Sequence, residues 1–170
     1  EATLRRAVEI AESNNGPLQR HHLAALTQLT NLLNSRGKPR EALPFATSAL
    51  EVAETELGPE APTLVKVLDT LAGVHLALGE LPPALTYYQR ADSIVMTHRD
   101  DVQKQILVQH YRGLGNAYAA VGERAQADAS FAMALTIAGD DATLSMERAA
   151  TLLARARAIP DDDDASAQEL

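Results

Sequence analysis

The side chains best placed to do chemistry in this 170-residue sequence are five histidines, two pairs of adjacent aspartates and several serines. His21 and His22 are neighbours, so on a helix they face different directions and cannot clamp one ion. His75, His98 and His110 stand apart, and no HxxxH or HExxH spacing puts two rings on one helical face. The chain has no cysteine, which removes disulfides, thiolate zinc sites and thiol nucleophiles and leaves the redox compartment open. Asp100-Asp101 and Asp140-Asp141 fall where helices begin, and capping accounts for a carboxylate there. Ser13, Ser35, Ser48, Ser93, Ser130 and Ser145 have no neighbouring base and no nucleophile-elbow context. No glycine-rich phosphate loop is present. The chemistry available is therefore hydrogen bonding and packing: the sequence reads as no enzyme, with no cofactor and no metal.

Charge narrows the partners. The formal net charge is −8, and it falls to −3 when the five acids of the last eleven residues, PDDDDASAQEL, are removed. A nearly balanced body lacks the basic footprint that nucleic acid requires. It also lacks a polybasic cue for an anionic membrane surface. No apolar run approaches the roughly 18 residues of a membrane-spanning helix, so no membrane insertion is expected. Apolar residues make up 46% of the chain but aromatics only 4%, so its core must be built from many modest Ala and Leu contacts.

Positioning comes from a repeat. LAGVHLALGELPPALTYYQRA (71–91) aligns with LGNAYAAVGERAQADASFAMA (114–134) at an offset of 43. Leu71, Gly79, Ala84, Tyr88 and Ala91 meet Leu114, Gly122, Ala127, Phe131 and Ala134. LTNLLNSRGKPREALPFATSA (29–49) fits the same slots at an offset of 42, and one more step back carries Ala49 to Ala7 and Gly58 to Gly16. Each unit holds two apolar segments of helical period. A Gly (Gly37, Gly79, Gly122) closes the first helix, and Pro39 or Pro82-Pro83 opens the second in two units. The Gly-Pro joints at 16–17 and 58–59 punctuate the array. The spacing predicts a helix at about 1–14, hairpins at about 18–57, 61–97 and 101–138, and a last helix at about 142–159 stopped by Pro160. No strand pattern occurs. Each hairpin buries its apolar face only by stacking on neighbours, so residues 1–159 are expected to form one solenoid. Residues 160–170 follow as an acidic tail or linker.

These slots resemble the tetratricopeptide repeat. Residues 108–141 fit best, with Tyr111, Leu114, Gly115, Tyr118, Gly122, Ala127, Phe131 and Ala134. The repeat usually runs about 34 residues. The longer unit with its Gly-Pro joint is similar to the repeats of kinesin light chain, in the joint ELGPEAPTLVKVLDTLA, the Pro-bearing EALPFATSAL and the ending YYQRA. The resemblance covers about residues 1–141. It implies an all-α, right-handed α-hairpin solenoid of three full repeats plus a half-repeat and a C-terminal capping helix. It also implies a non-catalytic module that binds a partner protein or peptide in its concave groove. His75 takes a slot where the family keeps an aromatic, so it is expected to be packed. Thr27-Gln28, Asp69-Thr70 and Arg112-Gly113 replace the Asn pair usual in kinesin-light-chain repeats. Only Asn31 fits the Lys, Asn and Arg set by which chaperone-binding repeats grip a peptide carboxylate.

In that family the first helices line the groove. The expected groove residues are Thr27, Gln28, Asn31 and Asn34 in the first unit, Lys66, Asp69 and Thr70 in the second, and Gln109, Arg112 and Asn116 in the third, with Ala24 beside them. The ends carry their own expectations. Residues 1–14 read as the second helix of a preceding repeat, and Leu4, Ala7, Val8 and Ala11 form a packing surface for an upstream helix or another chain, which implies self-association. In the last helix, the register puts Leu153 and Ala156 in core slots and leaves Arg148, Thr151 and Arg155 wet. Two other roles compete with groove binding. One is a structural subunit of a larger complex, held by its N-terminal end and convex face. The other is the regulatory region of a longer signalling protein.

Overall fold

The computed structural model describes residues 1–13 and 19–159, and the side chains of these outside 11–20. Among them all regular structure is helical: α1 (Ala2–Ser13), α2 (Gln19–Ser35), α3 (Pro39–Leu57), α4 (Leu64–Leu78), α5 (Leu81–His98), α6 (Lys104–Ala120), α7 (Arg124–Ala138) and α8 (Ser145–Ala158). Short 3-10 turns cover Arg99–Asp101 and Ala142–Leu144. The joint at Gly16-Pro17, the stop at Pro160 and the acidic tail lie outside the described residues.

The hairpins turn where the glycines stand. Gly37, Gly79 and Gly122 take φ of 70°, 76° and 83°, values that a side chain disfavours. In each turn the N–H after the glycine reaches back five residues to a carbonyl at 2.9 Å: Lys38 to Leu33, Glu80 to His75 and Glu123 to Tyr118. These bonds satisfy carbonyls that a helix end leaves open. Pro39 begins α3, and Pro82 stands in the first turn of α5, where a missing N–H costs little.

The chain divides into two compact units, Glu1–Arg99 and a second from Asp100 onward. In the first, each helix from α1 to α5 packs on the next, and α2 also touches α4. In the second, α6 packs on α7, and α8 packs on both. The repeat slots supply the core. Leu29, Leu71 and Leu114 are buried, as are Ala42, Ala84 and Ala127. Ala42, Ala46, Ala49 and Ala53 lie along the buried side of α3, where small side chains let α2 and α4 approach it closely. In the second unit, Val108, Ala134, Ala138 and Leu144 form one cluster with Tyr111 and Ile137 against it. Gly115 is a close approach there: a Cβ on it would lie 2.9 Å from two ring carbons of Phe131.

Two expectations need correction. The core residue of α8 is Thr151, fully buried, whereas Leu153 is 52% exposed and Ala156 is exposed. Thr151 occupies the slot of Val65 and Val108 when the offset stays at 43, one residue from the expected register. Its hydroxyl donates to the Glu147 carbonyl at 2.7 Å, so the side chain buries as a valine would. Arg155 stays half-exposed and pairs with Asp128 of α7 at 2.7 Å, while Arg148 donates to the Gly139 carbonyl and to Asp140. The second correction concerns capping. Asp101 belongs to the 3-10 turn, and α6 begins after Gln103 without a side-chain cap. Asp141 does cap: it accepts from the Thr143 amide at 2.9 Å and the Thr143 hydroxyl at 2.7 Å. The hydroxyl first, then the amide, hold its carboxyl below the usual aspartate range.

Candidate partner-binding groove

In the first unit, α2 and α4 lie side by side with α3 packed against both. Their outward faces enclose a recess of about 260 Å³. Leu23, Ala24, Thr27, Gln28 and Asn31 of α2 line it, with Thr63 just before α4 and Lys66 and Val67 on α4. The spacing explains the lining: 24, 27, 28 and 31 share one helical face, as do 63, 66 and 67. Val67 is buried and Leu23 half-buried, so they form an apolar floor. Gln28, Asn31 and Lys66 are exposed around it. The Thr27 hydroxyl is already used, donating to the Leu23 carbonyl at 2.8 Å. The free polar groups are therefore two carboxamides, the Thr63 hydroxyl and one ammonium. Among the described residues no carboxylate pairs with Lys66.

The recess brings together Thr27, Gln28, Asn31 and Lys66 of the expected groove residues, with Ala24. Asn34, Asp69 and Thr70 lie on the same two helices but outside the lining. The Asn34 Oδ1 is buried without a hydrogen-bond partner. The Thr70 hydroxyl donates to the Lys66 carbonyl at 2.8 Å. Gln109, Arg112 and Asn116 stand on one face of α6 in the second unit, each half-buried. Leu23, Thr63 and Val67 escape a reading of the sequence. Leu23 and Val67 look like plain core, and Thr63 precedes its helix. Its place three residues before Lys66 is the available signal.

The remaining expected surface is on α1. Val8 is 3% exposed, Leu4 is half-buried and Ala7 is exposed, while the Ala11 side chain is not among those described. Of the histidines, His75 stacks on Tyr87 with ring centroids 5.4 Å apart, and its Nδ1 lies 2.6 Å from Glu80 Oε2. His110 is fully buried with its ring edge against Tyr111. Among the described residues no three potential ligands gather around a common point. No helix of the described chain is long and apolar enough to cross a membrane.

Residues 23–91 match the tetratricopeptide repeat family model. No protein of curated function matches the chain in sequence. Among solved structures, the chain is similar to the nearly identical TPR-like repeats of a protein assigned as a kinesin light chain from Podosopora anserina. The identity is 20%, with TM-scores of 0.70 and 0.67 against two crystal structures of those repeats, over 98% of this chain and 79% of that one. The TPR domain of Arabidopsis FLU is similar at 17% identity and TM-score 0.58, over 69% of this chain and 95% of that one. The hairpin slots, the glycine turns and these matches agree on the fold: residues 23–91 match tetratricopeptide repeats, and the chain has the all-α hairpin solenoid fold seen in these similar structures.

Proposed function

We propose that the chain is a non-catalytic interaction module and that the recess between α2 and α4 receives a peptide segment of a partner protein. Tetratricopeptide repeats generally mediate protein–protein interaction. The observation that carries the reading to this site is the lining itself: carboxamides and one unpaired ammonium around an apolar floor. Carboxamides both donate and accept, so Gln28 and Asn31 suit the N–H and C=O groups of an extended or helical backbone. Leu23 and Val67 offer a seat for one apolar side chain. Lys66 adds a preference for a carboxylate beside it. No step of this requires a cofactor.

The test is affinity capture with the full chain, followed by mass spectrometry, comparing wild type with an Asn31→Ala, Lys66→Glu double variant. Recovery of the partner is expected to fall tenfold or more, corresponding to about 1.4 kcal/mol or above. Undiminished recovery sinks the proposal. A structural subunit held by α1 should instead tolerate that change. Val8 already packs within the unit, so a charge there would test folding; the exposed α1 position for that test is Ala7.

A further inference from the structure

Hydroxyl groups in this protein are mostly spent on their own helices. Thr27, Thr70 and Thr86 each donate to a carbonyl four residues back, at 2.8, 2.8 and 3.0 Å. Thr63 does not. It stands at the N-cap position of α4, where a threonine oxygen commonly accepts from the first amides of the helix. Its side chain makes no such bond and, among the described residues, has no other partner. Thr3, Ser48 and Ser145 also lack one, but each belongs to a helix. Thr63 instead ends the irregular joint that follows α3, in which Pro59 and Glu60 are exposed as well. It is exposed itself and lines the recess between α2 and α4. A free hydroxyl on exposed, non-helical backbone is open to a modifying enzyme, which must draw the segment into its own cleft.

The lining decides what a phosphate on that hydroxyl would meet. No carboxylate lines the recess. Lys66 stands one turn into α4 from Thr63, with its ammonium unpaired among the described residues. A group on the N-cap residue reaches the amide three residues on, so the phosphate would lie beside the Lys66 N–H at the positive end of a 15-residue helix. Gln28 and Asn31 line the same recess from α2 and bring carboxamide donors. Resting on the reading of this recess as a peptide site, we propose that Thr63 is a phosphorylation site and that its phosphate, held by Lys66, closes the recess to the partner segment. In the transfer the Thr63 Oγ attacks the γ-phosphorus of a nucleoside triphosphate. The bond to the bridging oxygen breaks, the nucleoside diphosphate leaves, and the hydroxyl proton passes to the base of the kinase. The phosphate adds a charge of about −1.5 to −2. It neutralises Lys66 in place and repels the carboxylate that the ammonium would otherwise draw. The unmodified chain is the open form.

The test begins with the protein purified from the cells that make it. Mass spectrometry of its peptides is expected to place phosphate on Thr63, and a chain without phosphate there overturns the proposal. The phosphorus NMR signal of the modified chain reports the contact with Lys66 without any partner. Lys66 and the helix end favour the dianion, so the signal is expected to titrate below the value of about 6 for a free phosphate monoester. A titration that stays the same when the chain is unfolded in urea overturns the contact. The phosphorylated chain and a phosphatase-treated portion then enter the affinity capture described above. Recovery of the partner is expected to be at least tenfold higher for the treated portion. The two readings fail differently. If the Asn31→Ala, Lys66→Glu double variant keeps its partner, the peptide reading falls and the switch falls with it. If the double variant loses the partner while the phosphorylated chain keeps it, the switch alone is overturned.

Discussion

Two glycines on equivalent helices separate the local cost of a side chain from its tertiary cost. A Cβ on Gly73 of α4 would meet only the Tyr88 hydroxyl at 3.7 Å, an ordinary contact. Gly73→Ala is therefore expected to stabilise the protein by about 0.5–1 kcal/mol, the helix-propensity gain. A Cβ on Gly115 of α6 would press on the Phe131 ring, which is fully buried and has nowhere to retreat. Gly115→Ala is expected to destabilise by about 1–3 kcal/mol despite the same propensity gain. Urea-unfolding midpoints of the two variants check both signs. Sequence spacing alone matches Gly115 to the small slot of Ala72; that an aromatic ring fills the space above it needs the packed pair. Thr151 shows the opposite failure. Its hydroxyl suggests a wet position, yet that hydroxyl is satisfied within its own helix and the side chain is buried.

At the scale of the element, helix starts are less legible than helix ends. A left-handed turn admits glycine almost alone, so Gly37, Gly79 and Gly122 fix three hairpins unaided. An N-cap tolerates several residues, and of the aspartates expected to cap, Asp141 does so at the 3-10 turn that precedes α8. Its carboxyl is held below the ordinary aspartate value, so the charged form is favoured by folding. The stability it lends is complete above the unfolded-state value of about 3.9 and is lost as pH falls through the lower folded value. Hydrogen exchange at the Thr143 amide is expected to be slower in the wild type than in Asp141→Ala at neutral pH. The gap should close as the pH drops below that range. A gap that persists in acid would mean the carboxylate is not the cause.

Across the whole molecule, cost should follow position in the array. Leu68 is fully buried in α4, which packs against α3 and α5. Leu68→Ala is expected to cost about 2–5 kcal/mol. Leu153→Ala, on the open face of α8, is expected to change stability by less than about 0.5 kcal/mol. Thermal unfolding of dilute samples compares them. Equal losses would mean that α8 is covered within the chain.

The sequence by itself determined the helical period, the 42- to 43-residue unit, the glycine turns and the absence of thiol chemistry. These are local or repeated features, written once per unit and therefore read against one another. Tertiary structure decided which face of α8 is wet, how closely Gly115 meets Phe131, and that Leu23, Thr63 and Val67 join Asn31 and Lys66 around one recess. Each of these depends on helices distant in sequence approaching within a side chain's length. A one-residue shift in register rotates a helical position by about 100°, so a pattern correct to one residue still leaves the facing undecided until the helices pack.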